Sequence, residues 1–333
     1  MGRDFADKLA HRQLYSHVPE SEDGAALPDY LAGHFRRFDR AGWIQAVEAG
    51  LVTVNDRPAS PDTALKRHDR VGYWPPETPE PDAALHFHIV YEDADLLVID
   101  KPGDLCVHPT GPFFRHTLWH LVGSEYGEIR FVHRIDRETS GLVAAARSRR
   151  AAAAMDNGNT PVHKEYLALV TGDFSGNVHA EGFLVHDKDS AVRKKKRFVF
   201  ADSPEAADAG FGPTAETAVT DFFPVSHVPP DMTLVRAVLG TGRQHQVRAT
   251  LHSLGFPLAG DKLYGPDERL FLKIKSQALD DGDRAMLRFS RQALHAAVLE
   301  FRHPFSGKTI HCESPFPWSD FGMAAPQPQH SIR

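Results

Sequence analysis

Phe131-Val-His-Arg-Ile-Asp-Arg-Glu-Thr-Ser-Gly-Leu-Val143 decides how this chain is read. It is the densest polar run of its region: His133, Arg134, Asp136, Arg137 and Glu138 come close together, closed by Thr139-Ser140-Gly141. The apolar stretch from Leu142 to Ala146 predicts a strand entering a core. Such a turn sets the Asp136 carboxylate between two guanidinium groups beside a buried strand. Nearby cations favour the ionised form, and an anionic carboxylate can act as a nucleophile. The ordinary fate of an Arg-x-Asp-Arg run is a surface turn with solvated ion pairs, so the run needs company to mean more.

Working outward, the 333 residues suffice for two domains, and 41% hydrophobic with 25% charged residues is ordinary for a globular protein. No apolar run approaches the ~20 residues needed to cross a bilayer, and the N-terminus lacks the apolar core of a secretory signal. With Cys106 and Cys312 as the two cysteines, no disulfide framework is implied. These absences make a cytoplasmic location the expectation, with no membrane association. A net charge of -6 argues against indiscriminate coating of nucleic acid, but phosphate contacts need only a local basic face. His116 and His120 stand one helical turn apart, yet nothing nearby completes a metal-ligand set, so no metal is expected.

In chain order, residues 1–23 are polar and aperiodic, an N-terminal arm. Residues 24–76 form a compact unit. Leu27, Tyr30 and Leu31 share a helix face after Pro28, Trp43 to Gly50 is a second helix closed by glycine, and Leu51 to Val54 is a strand before an Asn55-Asp56 turn. Leu65 to Trp74 carries another strand. Arg36, Arg37 and Arg40 cluster on this unit, either as a solvated helix face or as contacts for phosphates. Four prolines between Pro75 and Pro81 open an extended spacer, assigned to residues 77–84. Residues 85–318 read as a larger α+β domain with many paired strands, among them Phe87–Tyr91, Leu96–Lys101, His163–Thr171, Ala215–Phe223, Met232–Leu239 and Leu294–Phe301. Arg149 to Met155 is helix material, and Asp202 to Gly212 is a loop. Arg193-Lys-Lys-Lys-Arg197, leading into a hairpin arm, is the strongest charge run and the best candidate for phosphate tracking. Residues 319–333 read as a frayed tail.

Three stretches carry a family resemblance. His133-Arg-Ile-Asp136-Arg-Glu-Thr-Ser-Gly-Leu142 closely resembles the catalytic motif of the RluA-type pseudouridine synthases, His-Arg-Leu-Asp-Arg-x-Thr-Ser-Gly-Leu. Lys164-Glu-Tyr166-Leu-Ala-Leu-Val-Thr-Gly172 resembles their second motif. Gly242-Arg-Gln-His-Gln-Val-Arg248, continuing to Gly260-Asp-Lys-Leu-Tyr-Gly265, is similar to their third. Ala249 and Thr250 depart from it, which places the difference on the outer face of a helix. The resemblance implies a mixed, largely antiparallel sheet and isomerisation of a uridine in structured RNA. The glycosidic bond at N1 is broken, the base turns, and C5 rejoins the sugar. No group is gained or lost, so no metal or redox cofactor is implied. By the same resemblance Asp136 is the catalytic acid, attacking the sugar, attacking the base or abstracting a proton. Arg248 is its partner, and Tyr166 is a platform for the base, a task an aromatic ring suits because base stacking is worth ~1–3 kcal/mol. Arg134 fills the space left by the extracted nucleotide. Lys164, Arg243, Gln244 and His245 complete the RNA contacts, with Gln244, His245 and Arg248 able to share a helix face.

The 24–76 unit resembles the small S-four-like RNA-binding domain through Gly50-Leu-Val-Thr-Val-Asn55 and Asp69-Arg-Val71. Ribosomal RNA is thereby favoured over transfer RNA as the partner, and no protein partner is implied, so a monomer is expected. Two rivals stand beside this reading. A non-catalytic RNA-binding protein of the same fold would not need Asp136, Tyr166 and Arg248 together. A glycoside-type hydrolase would pair two carboxylates.

Overall fold

The computed structural model describes residues 11–35, 37–156, 162–208, 215–276 and 278–325. It divides into two compact units, of which the first runs to Pro81 and takes in Thr110–Arg115 and Gly123–Glu128. The first unit holds β1 (Leu14–His17), α1 (Leu27–His34), α2 (Arg40–Glu48), β2 (Val52–Val54), β3 (Arg57–Pro58) and β4 (Arg70–Tyr73). Its sheet order is β1-β4-β2-β3. Asp39 caps α2 by accepting from the Gly42 amide at 2.8 Å. Gly50, with a φ of 72°, follows its C-terminus in the left-handed region that an unbranched backbone tolerates. Leu27, Tyr30, Leu31, Trp43 and Val47 pack into one core with Val52 and Val71. Asn55 and Asp56, at φ 51° and 63°, make the tight turn between β2 and β3.

The arm and the spacer that flank this unit are held more firmly than the sequence suggests. Residues 14–17 are not a loose arm: β1 pairs antiparallel along β4, and Val18 is buried beside it. A short, largely exposed stretch whose merit is to satisfy the backbone of a neighbouring strand has no periodicity to read. Residues 77–81 form no helix or strand, but Glu80 accepts from the amides of Phe114 and Arg115 at 2.8 and 2.7 Å, and Glu77 holds the Arg115 side chain at 2.7 Å. The spacer is thus fastened by its own acids.

The second unit is α+β, built on a sheet that has eleven strands among the described residues. Its strands are β5 (His88–Glu92), β6 (Leu96–Lys101), β7 (Arg130–Phe131), β8 (Ser140–Ala146), β9 (Val162–Thr171), β10 (Val178–His186), β11 (Lys196–Phe200), β12 (Glu216–Val228), β13 (Met232–Leu239), β14 (Leu294–Arg302) and β15 (Thr309–Glu313). Between them lie α3 (Leu118–Tyr126, of which the residues from Gly123 on fall in the first unit), α4 (Arg149–Asp156), α5 (Pro204–Asp208), α6 (Gln246–Ser253), α7 (Arg269–Lys275) and α8 (Asp281–Leu287). The main path runs β11-β10-β12-β13-β9-β14-β8-β6-β5, with β15 on β14 and β7 on β8. Every neighbour is antiparallel except β14 and β8, whose parallel register sets His295 opposite Ser140 and Ala296 opposite Gly141. The sheet is therefore mixed and largely antiparallel. The residues of β8 are buried from end to end, as a central strand covered on both faces demands.

The 202–212 loop contains α5, and its remainder from 209 lies outside the described residues. Of the stretch 319–333 expected to fray, residues 326–333 lie outside the described residues, while Phe321 is packed: it is 7% exposed and stacks on Phe316 at 5.4 Å. No helix among the described residues is long and apolar enough to cross a membrane.

The parallel join explains one glycine. Gly141 has a φ of 104°, and a Cβ there would lie 2.2 Å from the Ala296 carbonyl oxygen. Gly141→Ala combines a forbidden dihedral with a backbone clash and should cost more than about 3 kcal/mol. A urea-unfolding midpoint close to the unaltered protein's would contradict this account of the join.

Candidate active site

The turn between β7 and β8 carries Asp136, and the turn into α6 approaches it from the other side of a cavity of about 260 Å³. Arg134, Ile135, Asp136, Thr139, Tyr166, Arg243, Gln244, His245, Val247 and Arg248 all line that cavity. Of the residues singled out from the sequence, Lys164 sits at its rim, with its ammonium 3.7 Å from where a Cβ on Gly242 would stand. Burial lowers the Lys164 pKa.

Asp136 is not held by its neighbours in sequence. Arg137 turns away to pair with Asp104 at 2.7 Å. The partner is Arg248, whose Nη1 donates to Asp136 Oδ2 at 2.6 Å across 112 positions of chain. Arg248 is itself fixed from behind: Nε and Nη2 donate in parallel to the two oxygens of Asp261, at 2.7 and 2.8 Å. Asp261 is fully buried, and one of its oxygens also accepts from the amides of Leu263 and Tyr264, both at 2.9 Å. The Tyr264 ring lies 5.0 Å from the guanidinium carbon. A planar fork with two edges can serve both carboxylates at once, which an ammonium cannot.

The electrostatics follow. Burial works against ionisation of Asp136, but Arg248 and His245 outweigh it and hold the carboxyl below its usual range. Burial likewise opposes the Asp261 charge, and Arg248 with the two amides overcomes it, leaving a pKa of about 2. Arg248 is raised despite burial, since it faces both anions. Burial and the adjacent Arg248 cation lower His245. Its Nε2 stands 3.9 Å from Asp136 Oδ1, and its Nδ1 is 3.0 Å from the Tyr264 hydroxyl, which accepts from the Lys196 amide.

The helical reading of 244–248 needs correction. α6 begins at Gln246, and His245 precedes it at a left-handed φ of 60°, so Gln244 and His245 lie in the turn and not on a face shared with Arg248. The buried glutamine is Gln246. It accepts from Arg243 N and the Thr241 hydroxyl (2.9 and 2.8 Å) and donates to Val219 O and the Thr220 hydroxyl (2.9 and 2.8 Å). It ties the helix start to β12. Ala249 and Thr250 are buried, so the departure from the motif faces the core.

Tyr166 comes from β9 with its ring in the cavity wall near Ile135, Val247 and Leu294. Burial, then the Asp136 charge, raise its phenol, so it stays neutral. His133 is likewise neutral: burial and Lys164 push it down to about 3, and its Nε2 accepts from the Ala144 amide.

The two basic clusters offer fewer cations to phosphate than the sequence suggests. Lys195 is buried against Glu268 at 2.9 Å, Lys196 pairs with Glu216, Arg197 with Glu205, and Lys194 lies over the Phe271 ring. Most of the 193–197 run is therefore occupied within the fold. In the first unit Arg40 pairs with Asp29 at 2.6 Å, Arg37 lies exposed over the rings of Phe38 and Tyr73, and Arg36 falls outside the described residues. Among the described residues Asp93, Asp95 and His303 lie close enough to hold a cation. Asp93, however, already accepts from Tyr91 OH, from two amides and from His303 Nε2, so the group is a braced turn.

The family model described as RNA pseudouridylate synthase matches residues 95–253. The Bacillus subtilis protein YlyB, named as an uncharacterized RNA pseudouridine synthase, is 31% identical over 312 residues, covering 90% of this chain and 92% of its own. The ribosomal large subunit pseudouridine synthase D of Haemophilus influenzae is 30% identical, covering 91% of each chain. The human RNA pseudouridylate synthase domain containing 1 shares the fold, with a TM-score of 0.53 at 24% identity over 72% of this chain and 87% of its own. The chain belongs to the RluA family of RNA pseudouridine synthases.

Proposed function

We propose that this enzyme isomerises a uridine of large-subunit ribosomal RNA, with Asp136 as the catalytic residue. The observation that carries the assignment is the Asp136–Arg248 contact at 2.6 Å in the wall of a cavity that Tyr166 also lines. The reaction needs one anion beside a base that has left its stack, and Asp136 is kept ionised by a cation that Asp261 prevents from moving. Tyr166 stacks the extracted base, Arg134 takes its vacated place, and Lys164 and Arg243 meet the flanking phosphates. The ribosomal substrate is supported by the relatives named for the large subunit. Incubation with uridine-labelled transcripts tests the reading: pseudouridine in ribosomal but not transfer RNA supports it, while free uracil would indicate a hydrolase.

In the first unit Arg37 is the proposed phosphate contact. Arg37→Glu should make the log–log salt dependence of RNA affinity shallower by about 0.7–0.9. An unchanged slope would leave that unit without an electrostatic part in binding.

A further inference from the structure

The residues after Asp136 are held by groups that the reaction itself does not use. The Arg137 carbonyl accepts from Lys101 Nζ and the Leu105 amide, both at 3.1 Å. One Glu138 carboxylate oxygen accepts from Lys262 Nζ at 2.5 Å and the other from the Gln292 amide at 3.1 Å. Gln292 Nε2 donates to the Thr139 hydroxyl at 2.7 Å. The Glu138 carbonyl is left to Arg291, whose Nη1 donates to it at 3.0 Å. Arg291 is 7% exposed, its Nη2 donates to Asp320 at 2.7 Å, and its guanidinium lies 4.4 Å from the Phe321 ring centre. It also presses on Gly103 so closely that a Cβ there would lie 2.4 Å from Nε. One side chain thus joins the catalytic turn, the 101–103 loop and the C-terminal turn.

We propose that Arg291 is a positioning residue for the isomerisation, fixing the turn that carries Asp136 through the Glu138 carbonyl, with Asp320 and Phe321 as its anchor. The proposal rests on Asp136 being the catalytic group. The anchored carbonyl belongs to Glu138, with one residue between it and Asp136, so release of that carbonyl lets the carboxylate drift from Arg248. The Glu138 side chain stays held by Lys262 and Gln292, so the turn keeps its fold and loses its precision. Misplacement of a reacting group by about 1 Å costs on the order of 100-fold in rate.

The test uses full-length Arg291→Met, Asp320→Asn and Gly103→Ala proteins, with single-turnover rates measured at saturating RNA alongside RNA affinity. Arg291→Met should lose about 30–100-fold in rate with affinity nearly unchanged. Asp320→Asn, which removes only the far anchor, should lose less. Gly103→Ala keeps every charge but displaces the guanidinium, and should fall between them. The acid limb of the rate profile should also move to higher pH in Arg291→Met, because a carboxylate farther from Arg248 is easier to protonate. A purely structural role would lower the folded fraction and leave that limb in place, which would overturn the proposal. So would a full rate in folded Arg291→Met. If that variant fails to fold, unaltered rates in both Gly103→Ala and Asp320→Asn would overturn it instead. An Asp136→Asn control separates the two readings: its turnover would remove the catalytic assignment, whereas its inactivity beside a fully active Arg291→Met rejects the positioning role alone.

Discussion

Asp136→Asn should abolish isomerisation, with a loss of at least about 10³-fold in single-turnover rate, while RNA affinity and the unfolding midpoint change little. The amide keeps the size of the carboxylate and can still accept from Arg248 Nη1, so the turn has no cause to rearrange. What disappears is the anion, which Arg248 and His245 hold ionised against the pull of burial. Because this pKa is depressed, activity should persist well into the acid range and decline only as pH falls through the depressed value. Retained turnover by the amide variant would move the chemistry to another residue.

Arg248 should give the largest effect on stability, and the effect should depend on pH in a specified direction. Arg248→Met leaves Asp261 fully buried without its cation, which should cost about 3–5 kcal/mol near neutrality. In the unaltered protein the folded-state pKa of Asp261 lies at about 2, below its unfolded value. Its contribution to stability is therefore complete above about pH 4 and is lost as pH falls toward 2. In Arg248→Met the sign reverses. Burial alone raises the Asp261 pKa, the folded state takes up a proton more readily than the unfolded chain, and the deficit shrinks on acidification. Urea midpoints of both proteins at pH 7 and pH 4 measure this, and a deficit independent of pH would contradict the buried ion pair. Arg248→Lys tests the fork separately. Its ammonium should follow the buried Asp261, leaving Asp136 without a partner and the rate lower by about 10–100-fold despite the retained charge.

Much of the fold was legible because its signals are local. The helix punctuation at Pro28 and Gly50, the alternation in 163–171 and the uninterrupted apolar run after Gly141 each report burial of a face or of a whole strand. The site was legible differently. Asp136 and Tyr166 stand out by motif, and Arg248, 112 positions away, was reached as the partner of Asp136 through the family resemblance alone; the adjacent Arg137, which the spacing favoured, pairs with Asp104 instead. In 193–197 five cations in a row read as available to phosphate, because Glu268, Glu216 and Glu205 reach Lys195, Lys196 and Arg197 only through the fold. Asp261 stood within a matched motif without a role. Arg291 and the C-terminal turn carried no such signal, since an Arg–Asp pair packed on a phenylalanine has no sequence period.

The central claim, that Asp136 isomerises a uridine of large-subunit ribosomal RNA, is tested most directly by mapping pseudouridines in RNA from cells carrying either the unaltered protein or Asp136→Asn. The account expects defined pseudouridines in the large-subunit RNA of the first cells to be uridines in the second, with transfer RNA unaffected. Identical maps in both would contradict it.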